Sequence, residues 1–335
     1  MLELLIDQRA AIQTRMRELD WLRRDECLVE LSSPGEGNMN RTLRADLGDR
    51  SLILKQSTPF VVKYPEIPAP AERIEVEAAF YQAIADGAAS AALPGVIGFD
   101  PDHRLLALED LGEATDYTDL YAGSGLLPEG GMPAELPALA AWLGTLHATP
   151  IDVADRAVFE NGVMRVLNHA HIFEIPFDPS NGLDLDAITP GLGDEAKRLQ
   201  SDQTIRPRIA ALGTRYLADG SPGDVLLHGD YYPGSWLRHA DGIKIIDPEF
   251  AFIGPPEFDI GVLLAHMVLA DVGRAEVEQI VAGAYQPRFD ATLARGFAGV
   301  EIMRRLLGVA QLPLTATLAT KAAWLSDAHD LLIDV

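Results

Sequence analysis

Leu227-His228-Gly229-Asp230-Tyr231-Tyr232-Pro233-Gly234-Ser235 is the stretch on which the reading of this chain turns. The apolar run Val225-Leu226-Leu227 leading into it predicts a short strand, so Asp230 stands on the loop that leaves that strand. Seventeen residues after Asp230 comes Asp247, in Ile245-Ile246-Asp247-Pro248-Glu249-Phe250. It too follows an apolar strand, Ile243-Lys244-Ile245-Ile246. Two carboxylate loops after neighbouring short strands converge on one point. Phosphoryl transfer needs such an arrangement: one carboxylate beside the incoming hydroxyl, and others to hold magnesium on the phosphates. Magnesium takes hard oxygen ligands, which Asp247 and Glu249 supply. A lone His-Gly-Asp reads as a capped turn; the pair at this spacing carries the chemistry. His228 is expected to brace the loop.

Upstream lies a β-rich region. A helix over 2–20 precedes strands at 27–32, near 38–47 and at Ser51-Leu52-Ile53-Leu54-Lys55, the last two joined by a Gly48-Asp49 turn. Residues 57–70, with Pro59, Pro65, Pro68 and Pro70, read as a loop, 71–86 as a helix, and 95–99 and 104–109 as strands. After Asp110-Leu111-Gly112 the character changes. A Gly/Pro-rich loop covers 121–135, and helices follow at 136–148, 192–218, 257–272, 274–287, 290–308 and 314–333. The expected fold is α+β and bilobal. A small antiparallel β-rich lobe (1–108) meets a larger helical lobe (113–335) at a hinge (109–112).

Three further features fit a nucleotide site. Gly35-Glu36-Gly37-Asn38-Met39-Asn40 is a glycine hairpin whose backbone N–H groups can approach phosphates, with Gly35, Gly37, Asn38 and Asn40 as candidates. It is neither a Rossmann fingerprint nor a Walker loop. Lys55 ends its strand where it can pair with phosphates, and the helix over 71–86 offers Glu75 or Glu77 to hold it; Glu77 is preferred. Glu109 and Leu111, at the end of the strand Leu105–Leu108, can offer backbone groups to an adenine edge. Arg304 and Arg305 are adjacent on a helix, about 100° apart, and reach one point only if it lies over the helix edge. Beside a transferring phosphate or a substrate oxygen they would neutralise charge.

Composition sets bounds. The chain has 335 residues and a formal net charge of −23, which would repel a nucleic-acid backbone at long range. Cys27 is its one cysteine, so no internal disulfide forms. The sequence shows no apolar stretch of about 18 residues and no signal-peptide pattern at the start. The expectation is a cytoplasmic protein acting on a small molecule, away from nucleic acid and membrane. A metal hydrolase built on His228 and Asp230 would need more histidine ligands, and no His-x-His or His-Glu-x-x-His is present.

Taken together these pieces resemble the aminoglycoside phosphotransferase and choline kinase superfamily and, within it, the 5-methylthioribose kinase family. The likeness runs along nearly the whole chain. It rests on the glycine loop at 35–40, Leu52-Ile53-Leu54-Lys55-Gln56, His228-Gly229-Asp230 with Gly234-Ser235, and Asp247-Pro248-Glu249-Phe250-Ala251-Phe252. Gly254-Pro255, Phe258-Asp259, Gly261 and the helix Glu301 to Gly308 continue it. The resemblance implies ATP, magnesium, a homodimer and phosphorylation of the C1 hydroxyl of methylthioribose, a step of methionine salvage. By it Asp230 orients or deprotonates the hydroxyl, Asp247 and Glu249 bind metal, and Arg304 with Arg305 stabilise the transferred charge. Ser235 takes the place of a metal-binding asparagine of many relatives. The family has Leu-His-Thr after Asp230. Here Tyr231-Tyr232-Pro233 stands there, which makes Tyr231 and Tyr232 candidate substrate contacts and leaves the acceptor open to other pentoses, aminoglycosides, choline-like alcohols or hydroxyamino acids. A catalytically inactive nucleotide-binding regulator is the reading from another class. The presence of Lys55, Asp230, Asp247 and Glu249 weighs against it.

Overall fold

The computed structural model describes residues 2–35, 39–122, 134–152 and 155–333. The expected contacts from Gly37 and Asn38, and most of the loop 121–135, lie outside the described residues. A single 3-10 turn, Ile6–Gln8, leads into α1 (Arg9–Glu18), so the helix expected over 2–20 is shorter. Then come β1 (Glu30–Ser32), β2 (Arg41–Asp46), β3 (Ser51–Gln56), β4 (Phe60–Val61), β5 (Tyr64–Pro68), α2 (Arg73–Ala83), β6 (Val96–Asp100) and β7 (Leu105–Glu109). Five of these strands form one antiparallel sheet in the order β1-β2-β3-β7-β6. The expected loop 57–70 instead holds the β4–β5 hairpin, a separate two-stranded ribbon that tolerates proline because an edge needs fewer donors.

Period-two alternation gives the sheet two working faces. Leu52 and Leu54 of β3, with Leu105 and Ala107 of β7, pack outward against Ile12, Met16 and Trp21 of the N-terminal segment. Leu106 and Leu108 turn inward, against Ile74 and Phe80 of α2. Lys55 is out of phase with Leu54 and so also turns inward, toward α2.

The second region continues with β8 (Thr115–Asp116), α3 (Leu136–His147), α4 (Gly162–His169), α5 (Leu185–Ile188), α6 (Leu192–Ser201), α7 (Arg206–Leu217), β9 (Val225–Leu227), β10 (Trp236–His239), β11 (Gly242–Ile245) and β12 (Phe252–Gly254). It closes with α8 (Pro256–Leu269), α9 (Arg274–Ala284), α10 (Ala291–Leu307) and α11 (Leu318–Ile333). The single helix expected over 192–218 is two. Asp202 accepts from the Thr204 N–H and hydroxyl in a tight turn between them, and Pro207 in the first turn of α7 has no N–H with which to continue a helix. A π turn, Ala170–Glu174, prolongs α4; neither was foreseen.

Every residue of α8 is buried, the mark of a helix in the middle of a core rather than on its rim. It lies against α10 at Gly261, where a Cβ would stand 2.6 Å from that of Phe297. The two carboxylate loops do not follow neighbouring strands, as the sequence suggested. β11 pairs with β10 in a hairpin, while β9, before the Asp230 loop, pairs with β12, after the Asp247 turn. Among the described residues no helix is long and apolar enough to cross a membrane.

Candidate active site

The loop bearing Asp230 is held from below. The backbone N–H groups of His228 and Gly229 donate to the two oxygens of Asp259, at 2.7 and 3.0 Å. Asp259, in the first turn of α8, is fully buried and also meets His147 Nε2 at 3.2 Å. Burial pushes the His228 imidazole below its ordinary pKa and keeps it neutral, so its Nε2–H donates to the Ile246 carbonyl at 3.0 Å. His228 thereby ties the Asp230 loop to the Asp247 loop. Gly229 has φ +84°, and a Cβ there would run into the Phe250 carbonyl, so only glycine lets the two loops lie this close.

Asp230 is met from the other side by α10. Arg305 Nη2 donates to Asp230 Oδ1 at 3.0 Å, and Arg304 Nη1 stands 3.8 Å from the same oxygen. Both arginines lean on Glu301 one turn earlier: Arg305 Nε donates at 2.6 Å and Arg304 Nη1 at 3.0 Å. Arg304 Nη2 also reaches Asn168 Oδ1 at 3.3 Å. Burial opposes the charge of Glu301, but Arg304 and Arg305 outweigh it and hold its carboxyl well below the usual carboxylate range. Burial likewise opposes the charge of Arg305, and Glu301 with Asp230 outweighs it. The helix edge therefore does bring both arginines to one point.

On the opposite side, Lys55 Nζ donates to both Glu77 oxygens at 2.6 and 2.7 Å and to Asp247 Oδ1 at 2.7 Å. Burial would lower the Lys55 pKa, but Asp247 and Glu77 hold it above its ordinary value, so the ammonium stays charged. Glu75 faces a groove behind α2 instead. Asp247 has left-handed backbone, φ 64° and ψ 47°, a conformation that non-glycine residues adopt at a cost where a site requires it. Glu249 is buried, and burial raises its pKa. Its Oε2 accepts from Asn40 Nδ2 at 3.0 Å and lies 3.1 Å from Arg73 Nε. Arg73 in turn donates to Asn40 Oδ1 at 3.0 Å. Asn40 thus braces the glycine loop to the acidic turn, while Gly35 stays exposed at the loop's start.

The segment between the two regions is pinned by Asp110. Its carboxylate takes a bidentate pair from Arg44 at 2.6 and 3.1 Å, the Ser51 hydroxyl at 2.5 Å and the Gly112 N–H at 3.0 Å. The Glu109 N–H is engaged by the Gly95 carbonyl at 2.7 Å, and its exposed side chain takes the Gly95 N–H. Glu109 and Leu111 flank this clasp.

Two residues after Asp230 part company. Tyr231 is fully buried, stacks on Trp142 with ring centroids 5.4 Å apart, and donates its hydroxyl to the Leu139 carbonyl. A substrate contact was expected of it; the structure corrects that, because an apolar ring between α3 and the loop is more favourable inside than beside solvent. Tyr232 is half-buried, with the Arg305 guanidinium 4.8 Å over its ring. The Ser235 hydroxyl donates to the Asp230 carbonyl at 3.0 Å and so stiffens the loop.

Arg73, Asp110, Asp259 and His266 were not singled out as functional from the sequence. An aspartate in the largely apolar run of α8 was the one readable signal. As a cation site, Asp247 and Glu249 supply hard oxygens from one short turn. Among the described residues no group of three or more His, Cys, Asp and Glu is gathered for a metal. Two carboxylates are nonetheless what magnesium takes when phosphate oxygens and water fill the rest of its octahedron, so the residues fit that ion.

A family model described as the phosphotransferase enzyme family matches residues 30–300. Among curated proteins the chain is similar to a methylthioribose kinase of Exiguobacterium sibiricum, 29% identical, over 82% of this chain and 79% of the relative. It is similar also to a methylthioribose kinase of Bacillus cereus, 28% identical, over 74% of this chain; the chain spans only 62% of that relative's length. Among solved structures, a choline kinase from Streptococcus pneumoniae superposes with TM-score 0.56 at 12% identity, over 98% of this chain and all of the other. An AMP-bound spectinomycin phosphotransferase does so with TM-score 0.53 at 13% identity, over 95% and 97%. These two establish the bilobal, protein-kinase-like α+β fold.

Proposed function

Because the chain belongs to the phosphotransferase enzyme family, we propose that it moves the γ-phosphoryl of ATP to a hydroxyl of a ribose-like sugar, methylthioribose first. The observation that carries this is the approach of two buried arginines, Arg304 and Arg305, to one oxygen of Asp230. Asp230 accepts the proton of the acceptor hydroxyl as its oxygen bonds to the γ-phosphorus. The bond from that phosphorus to the bridging oxygen breaks, and ADP leaves. Arg304 and Arg305 orient the Asp230 carboxylate and lie where charge on the transferred group is neutralised. Lys55, steadied by Glu77, pairs with the nearer phosphates of ATP. Magnesium, held by Asp247 and Glu249, would neutralise the phosphate oxygens when bound. The region 1–108 carries the nucleotide, 109–112 is the hinge that Asp110 pins, with the Glu109 carbonyl and the Leu111 backbone offered to the adenine, and 113–335 carries the acceptor.

The kinship to methylthioribose kinases supports the acceptor. So does charge: two buried guanidinium groups beside Asp230 disfavour a cationic alcohol such as choline or an aminoglycoside. The test is ADP release with Mg-ATP over a panel of methylthioribose, other pentoses, choline, aminoglycosides and hydroxyamino acids. Turnover selective for methylthioribose is expected. Turnover confined to a cationic acceptor would overturn the assignment of the sugar, and silence throughout with ATP bound would overturn the kinase reading itself.

A further inference from the structure

Behind the arginine pair lies a second row of buried groups that the transfer chemistry has not used. His266, on α8, is fully buried. Its Nδ1 is 2.5 Å from the Tyr121 hydroxyl, and its Nε2 is 3.3 Å from Glu301 Oε1. That same Oε1 takes Arg305 Nε, and Arg305 Nη2 ends on Asp230 Oδ1. The row therefore runs without a gap from Tyr121 through His266, Glu301 and Arg305 to the carboxylate that accepts the proton.

We propose that His266 is a positioning residue for phosphoryl transfer. As the neutral Nε2–H tautomer, with Nδ1 accepting from the Tyr121 hydroxyl, it holds Glu301 in the one orientation that aims Arg305 at Asp230.

Hydrogen-bond roles fix the tautomer. Glu301 Oε1 can only accept, so the proton of the neutral ring sits on Nε2, and Nδ1 accepts from the Tyr121 hydroxyl, which burial keeps protonated. The surroundings agree. Tyr121 faces the ring from the turn Thr118–Ala122, Tyr232 from the catalytic loop with centroids 5.3 Å apart, and Glu301 and Arg305 from α10. A positive imidazole would add charge beside Arg305 in a space closed to water. Burial, with Arg305 nearby, depresses the His266 pKa to about 4. Glu301 without this third donor would keep both arginines but lose the contact that sets its rotamer from the α8 side. Arg305 would then be free to swing with it.

The proposal rests on the phosphotransferase reading, and its test has one arm that does not. In the intact protein, nitrogen NMR of the imidazoles should show His266 as the Nε2–H tautomer, unchanged from pH 8 to 5. An Nδ1–H tautomer, or titration near the ordinary histidine range, overturns the proposal whatever the enzyme turns over. The kinetic arm uses an acceptor on which wild type is active. His266→Leu should lower kcat about a hundredfold, the scale of a small misplacement at a reacting centre, with KM for ATP unchanged. His266→Gln, whose amide can still donate to Glu301, should recover most of that loss, and Tyr121→Phe should show a smaller loss. Equal kcat in wild type and folded His266→Leu overturns the proposal. If His266→Leu does not fold, Tyr121→Phe and His266→Gln decide: wild-type kcat in Tyr121→Phe together with an unrescued His266→Gln marks the ring as packing only. Absence of turnover by wild type on every acceptor defeats the kinase reading and leaves the NMR arm to settle the tautomer.

Discussion

Two ionic clusters flank the site, and they are assembled in opposite ways. On the side proposed for the nucleotide, Lys55 reaches Glu77 and Asp247, while Asn40 and Arg73 reach Glu249; the partners are 22, 192 and 209 residues apart for Lys55–Glu77, Lys55–Asp247 and Asn40–Glu249. On the side proposed for the acceptor, Glu301, Arg304 and Arg305 stand within one turn of a single helix. The first cluster exists only when the sheet, α2 and the acidic turn are mutually placed. The second is preset by helix geometry before anything binds. A kinase that must admit and release a nucleotide between two regions gains from having the separable cluster on that side. Proton acceptance needs the cluster that does not move. A rigid helix spares the reaction any reorganisation at the moment of transfer.

Substitutions can break that contrast, starting with the carboxylate that the arginine pair meets. Asp230→Asn keeps the shape and removes the proposed proton acceptor. Turnover should fall by about 10²–10⁴-fold, with Mg-ATP affinity by calorimetry unchanged. Turnover close to wild type would remove Asp230 from its role. Next comes Glu301→Gln, which leaves Asp230 as the one carboxylate beside two buried guanidinium groups. A loss of ~3–5 kcal/mol in stability is expected from denaturant unfolding, with kcat reduced and KM for ATP intact. Glu77→Gln is the contrasting case, since Lys55 retains Asp247. KM for ATP should rise about tenfold, or ~1.4 kcal/mol, with a milder loss of stability. If Glu77→Gln struck kcat and Glu301→Gln struck ATP binding, the division between a separable and a preset cluster would be wrong.

The smallest effect sharpens the comparison through pH. The folded-state pKa of His266, about 4, lies below the ordinary histidine value of 6.5. Between those values the unfolded chain binds a proton that the native state refuses. Its share of stability is therefore complete above pH 6.5 and is lost as pH falls through about 4. The span corresponds to at most ~3 kcal/mol. Wild type should lose stability over this window more steeply than His266→Gln, and parallel curves would mean that the imidazole is not held neutral.

What the sequence disclosed follows the same division. Asp230, Asp247, Glu249 and the arginine pair were legible because each sits in a short motif whose residue types suit one chemistry. Lys55 was legible from the strand that ends at it, and Glu77 came forward as one of two glutamates on the next helix. Arg73 was not, since an arginine at a helix start reads as surface until the fold sets Glu249 and Asn40 against it. Asp110 was noticed only as part of a hinge; its partner Arg44 is 66 residues away. Tyr231 was misjudged because adjacency to Asp230 says nothing about which side of the loop a ring takes. The pairing of β9 with β12 escaped for a related reason: Phe252–Gly254 is a three-residue strand, too short to show alternation.

The outward face of the sheet has a consequence for how the chain comes into being. Leu43, Leu52, Leu54 and Leu105 are sheltered there by Ile12, Met16 and Trp21. The sheltering segment precedes the strands in the chain, so it leaves the ribosome first. When the last strand of the sheet emerges, its cover is already waiting. A sticky panel that would otherwise meet neighbouring nascent chains is closed by the molecule's own opening lines.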